Sequence, residues 1–220
     1  MCADAMSHRR HYRGPRRVAA AARACWDQRG CARRLGLVQT RLGVPQARGE
    51  APAVAAGSSK EFVTGEGFDY LGRHYRLHLT DDPPGTAVKL EHGRLRMPRT
   101  QADAGDGADA VMRWYRQRGA IWLPRRIRPS AERMGLYPGD LDIRDLGYRW
   151  GSLSKADRLN IHWAAMQLPV SLLDYVIVHE LAHRAARNTL AFWATVERAL
   201  PDYGLRRTRL ATTGTTLWLD

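Results

Sequence analysis

His179 and His183 stand four residues apart with Glu180 directly after the first, in the stretch VIVHELAHRAARNTLAFW from Val176 to Trp193. On a helix, positions i and i+4 project from one face. Both imidazoles can therefore take the same Zn2+ ion while the intervening glutamate reaches water on that ion. A hydrolytic zinc site needs a third protein donor and an open position, where the metal lowers the pKa of water toward neutrality. Glu180 has the chemistry of a general base that takes a proton from the attacking water and returns it to a leaving amine. The apolar VIV before the motif and LA within it suit a helix buried behind a low-dielectric cavity. A chance HExxH in a chain with this histidine content has odds of roughly one in a hundred, and a helical context is what separates signature from accident.

The flanking sequence must position these groups. LPVSLLDYVIVHELAH predicts a helix that starts at Pro169 or Ser171, with Asp174 in its first turn, where a carboxylate favours the dipole. A further helix is predicted over about Leu190 to Leu200, closed by Pro201. Upstream, Leu141 to Ser152 alternates as a strand, and Leu153 to Trp163 supplies a turn and a return strand. Phe68 to Leu79 and Ala87 to Met97 each read as a β-hairpin, turning at Gly72 and at His92–Gly93, with a loop from Asp81 to Gly85 between them. Ala108 to Trp122 has helical spacing and is interrupted or ended by Pro124; a second helical piece covers Ser130 to Leu136 before a turn at Tyr137–Gly139. His74, His78 and His92 share no ligand spacing and read as partly exposed strand histidines. Arg125, Arg126 and Arg128 read as a solvated face, since few aromatics are placed to stack bases. Arg149 is a candidate for oxyanion stabilisation or for a structural ion pair. Phe192 and Trp193 are expected in the core, and Tyr203 is a candidate proton donor.

The chain has 220 residues, 44% of them hydrophobic, enough for one domain with a core. No apolar run approaches the roughly 20 residues of a membrane span. The formal charge is +13 and unevenly spread: in residues 1–58 eleven arginines face only Asp4, Asp27 and Glu50, a balance of +8. That segment, rich in Ala, Arg and Gly with no sustained period, is expected to be a disordered or poorly packed extension, with an organelle presequence or a displaced start as alternatives. The domain is then expected over residues 59–220. Cys2, Cys25 and Cys31 are odd in number and outside any ligand-like cluster, which points to a reduced, cytoplasmic compartment. The basic balance raises nucleic acid as a partner, although the body carries only the remaining +5.

The segments RWGSLSKADRLNIHWAAMQLP, DYVIVHELAH, FW and PDY, with YLGRHYRL, EHGRLRMP and RWYRQR before them, resemble the YgjP-like metallopeptidases, relatives of the SprT-type zincins, from about Lys60 to Leu210. The resemblance implies an α+β, zincin-like domain with a small antiparallel sheet packed beside the HExxH helix. It implies a zinc-dependent hydrolase, usually a metallopeptidase, acting on a peptide or protein; a nucleotide-hydrolysing role is also attached to the family. It further implies a third histidine five residues after HExxH and before Phe-Trp. Here Asn188 is followed directly by Thr189, and the spacing to Phe192 and Trp193 is one residue shorter. Leu153 replaces the cysteine that many relatives carry after WGS. The expectation is a Zn2+ metallopeptidase with His179 and His183 as metal ligands and Glu180 as the catalytic base. The alternatives are a catalytically compromised relative that acts as a binding module and a metal-dependent nucleotide hydrolase.

Overall fold

The computed structural model describes residues 60–147, 149–185 and 190–218. The expected extension, and with it the boundary at residue 58, lies outside the described residues, as do Asn188 and Thr189.

The fold is α+β, and the described residues form two small sheets and five α-helices. Strands β1 (Gly67–Tyr70) and β2 (Arg73–Thr80) form one predicted hairpin, and β3 (Lys89–Glu91) and β4 (Arg94–Pro98) the other. Both turn through two residues of positive φ, Leu71–Gly72 (51° and 74°) and His92–Gly93 (49° and 72°). Two-residue turns of that hand match the twist of the strands they join. β4 then lies parallel to β2, which gives a four-stranded sheet in the order β1-β2-β4-β3.

The tip of the first hairpin does more than reverse the chain. The Leu71 N–H donates to the Met166 carbonyl at 2.8 Å and the Gly72 N–H to the Gln167 carbonyl at 3.3 Å. A Cβ on Gly72 would lie 2.7 Å from the Cα of Pro169. The sheet thereby holds the short 3-10 helix Trp163–Gln167 and the residue from which the signature helix departs.

After the short α1 (Arg99–Asp103), α2 runs unbroken from Gly107 to Met134. This corrects the expectation of two helical pieces, since Pro124 and Pro129 both sit inside the helix. Each proline removes one backbone donor, but both rings are exposed while Val111, Trp114, Tyr115, Leu123, Ile127 and Ala131 bury one continuous face. Packing of that face outweighs the local break. The helix ends at Gly135, in the left-handed conformation (φ 64°) common after a last turn.

The second sheet comprises β5 (Leu141–Arg144), β6 (Gly151–Leu153) and β7 (Leu159–His162) in the order β5-β7-β6. Two strands thus occupy the region read as one. β6 and β7 form the expected hairpin, but β5 joins β7 in parallel, so the sheet beside the signature helix is mixed and not wholly antiparallel.

Helix α3 (Val170–Ala185) carries HExxH, and α4 (Leu190–Ala199) and α5 (Tyr203–Thr213) follow. From Leu172 to Ala182 every residue of α3 except Asp174 is buried, so the helix is apolar nearly all round, as befits an element surrounded by others. It packs on α2, β6, α4 and α5. Asp174 lies beyond the first turn and acts as a tie instead: its carboxylate takes both Arg126 Nε and Nη2 of α2 at 2.5 Å and lies 3.8 Å from Arg206 of α5. Among the described residues no helix is long and apolar enough to cross a membrane.

Candidate metal centre

Helical spacing brings the two signature imidazoles together on one face of α3. Their Nε2 atoms are 3.2 Å apart and their ring planes are nearly perpendicular, at 85°. Two nitrogens bound to one tetrahedral Zn2+ at the usual bond length stand about 3.3 Å apart, so this donor pair has the separation that two corners of such a site require. His179 is buried and His183 half-buried. Burial, reinforced by the neighbouring His183 and Arg207, pushes the His179 imidazole down to about 3. It therefore stays neutral at ordinary pH, the form that binds a metal.

Phe192, fully buried on α4, has its ring centroid 5.0 Å from that of His179 and 4.7 Å from that of His183. It is core, as the sequence suggested, but core that fixes the two rings. Trp193 lies 5.9 Å from His179, stacks on Tyr203 at 5.5 Å and carries the Arg207 guanidinium 5.5 Å over its face. That layer brings α5 to the site. Arg207 escaped the sequence reading because α5 shows no clean apolar stripe by which its inward face could be chosen.

Glu180, the next residue after His179, packs toward Gly151 of β6. It is 5% exposed, and burial pushes its carboxyl up to about 7 against the opposing pull of Arg149 and of the Leu153 backbone. Arg149 thus acts on the candidate base electrostatically. Gly151 and Leu153 were also missed as neighbours of Glu180, since nothing in the alternation of a strand says which element its edge will meet.

The remaining histidines among the described residues are placed elsewhere. His162 caps the 3-10 helix: its Nδ1 accepts the Ala164 N–H at 3.0 Å, and its Nε2 lies 3.3 Å from Asp145. His74 is exposed and faces Asp69 at 3.0 Å, His78 is half-buried in β2, and His92 is an exposed turn residue. Among the described residues no group of three or more His, Cys, Asp and Glu converges on one point. His179 and His183 thus make up two corners of the candidate centre.

A model of the YgjP-like metallopeptidase domain matches residues 38–213. The chain belongs to this family. The chain is also similar to a solved structure, the metallopeptidase zymogen abylysin of Pyrococcus abyssi, with 24% identity over 40% of this chain and 90% of that one, at a TM-score of 0.37. No curated protein matches. Membership in the YgjP-like family makes the chain metallopeptidase-like in domain type, and its HExxH helix is the central element of that domain.

Proposed function

We propose that the chain is a zinc-dependent metallopeptidase, with His179 and His183 as metal ligands and Glu180 as general base. The observation that carries this reading is the 3.2 Å separation of the two Nε2 atoms on a buried helix that also presents Glu180. Zinc, when bound, would acidify water and polarise the scissile carbonyl. The protein's own part is to hold two neutral imidazoles in register and to shield them behind Phe192. Glu180 accepts a proton from the attacking water and passes it to the leaving amine. Its elevated affinity for a proton suits a group that must both take and release one near neutrality. The substrate class is peptide or protein, and a cytoplasmic setting fits the cysteine content.

The test is metal analysis of the full chain purified without a histidine tag, together with hydrolysis of fluorescein-labelled casein. The expected result is about one zinc per chain and chelator-sensitive cleavage. Glu180→Gln should keep the zinc and lower kcat by about 10²- to 10⁴-fold. A zinc-free protein with no chelator-sensitive activity overturns the reading.

The shortened spacing between HExxH and Phe192 favours a second reading, a binding module derived from a peptidase. Loss of one imidazole donor weakens the hold on zinc. Inserting a histidine between Asn188 and Thr189 should then raise zinc occupancy sharply, while unchanged occupancy counts against this reading. Release of phosphate from nucleoside triphosphates by the zinc-loaded chain would favour a nucleotide hydrolase instead.

A further inference from the structure

Gly151 opens β6 on the side that faces Glu180. It is buried, and its φ is not positive, so backbone geometry does not call for glycine there. Space does. A Cβ at this position would lie 2.7 Å from Glu180 Cγ and 3.1 Å from both Cδ and Oε1. The atoms it would meet cannot swing aside into solvent, because Glu180 is 5% exposed. Position 151 therefore defines where the glutamate rests, by having no side chain.

We propose that Gly151 is a positioning residue, the notch in β6 that seats the Glu180 side chain in the place from which it serves as base. The proposal rests on the assignment of Glu180 as general base. A methyl group at 151 forces either the strand away from α3 or the glutamate out of its place against β6. Both outcomes displace the carboxylate while leaving His179 and His183, which pack on Phe192 of α4, where they are.

The test is a double-mutant cycle in the full chain with Gly151→Ala and Glu180→Ala. Gly151→Ala alone should lower Tm by about 5 °C. In the Glu180→Ala background it should lower Tm by no more than about 1 °C, because the atoms the methyl would meet are gone. Equal losses in both backgrounds overturn the notch. If Gly151→Ala alone does not fold, the double variant decides: a folded double variant supports the notch and an unfolded one overturns it. On zinc-loaded protein, with a quenched fluorogenic peptide selected on the parent chain, Gly151→Ala should lower kcat by about 10²-fold. KM should stay within about threefold and zinc content unchanged. Loss of zinc, or a change confined to KM, overturns the positioning role. A parent chain that holds zinc yet cleaves nothing overturns the peptidase reading instead, and the melting cycle still decides whether the notch exists.

Discussion

At His162 both ring nitrogens are committed to structure, one accepting the Ala164 N–H and the other facing Asp145. Burial holds this imidazole below its ordinary pKa, although Asp145 pulls the other way and Arg116 adds to the depression. In the unfolded chain the group protonates first as pH falls, so its stabilising contribution is complete above about pH 6.5 and is lost as pH drops toward the depressed folded value. Acidification from pH 7.5 to 5 should therefore lower Tm. His162→Asn, which keeps an N-cap acceptor but cannot titrate, should reduce that slope. At the signature pair, His179→Ala should abolish stoichiometric zinc binding in metal analysis of the purified chain, since it removes one of two close donors. Residues of this kind were legible in the sequence to the degree that their partners are near in the chain. The His179–His183 pair follows from helical period alone, whereas the fit of Glu180 against Gly151 depends on an approach between two elements that no local pattern encodes.

The elements repeat the lesson at larger spacing. Both hairpins of the first sheet were readable from their turn residues, and α3 and α4 from their apolar spacing and from Pro169 and Pro201. The rules that failed were local rules overridden by packing. Local rules have Pro124 interrupt or end the helix, but the buried row from Val111 to Ala131 carries α2 across it. Pro124→Ala should therefore stabilise the protein, by about 1–2 kcal/mol after allowing for the stiffer unfolded chain that proline provides. Chemical denaturation should show this as a higher midpoint at unchanged slope. α5 went unread because Leu210 is its one buried residue and Leu205 is 73% exposed. The Asp174 link binds α2, α3 and α5 through one carboxylate, and Asp174→Asn should cost about 1–2 kcal/mol, a loss that shrinks in high salt.

For the whole molecule, charge and architecture part company. Residues 1–58 hold +8 of the net +13, so affinity for polyanions is expected to reside there and not in the metallopeptidase body. A chain beginning at Lys60 should elute from heparin at markedly lower salt than the full chain; equal elution would place the interaction on the body instead. The wider plan joins distant parts of the sequence. The tip at Leu71–Gly72 is bonded to Met166 and Gln167 and seated against Pro169, at the root of the helix that bears HExxH. On a ribosome the hairpin emerges before its anchor and must wait for Met166, Gln167 and Pro169 to be made. Helix α2 reaches the first sheet before that, with the Trp114 ring 5.0 Å from that of Tyr70 and the Tyr115 hydroxyl donating to the Asp69 carbonyl. The helix that bears HExxH thus docks onto a hairpin already made, and its root is set by a turn laid down long before it.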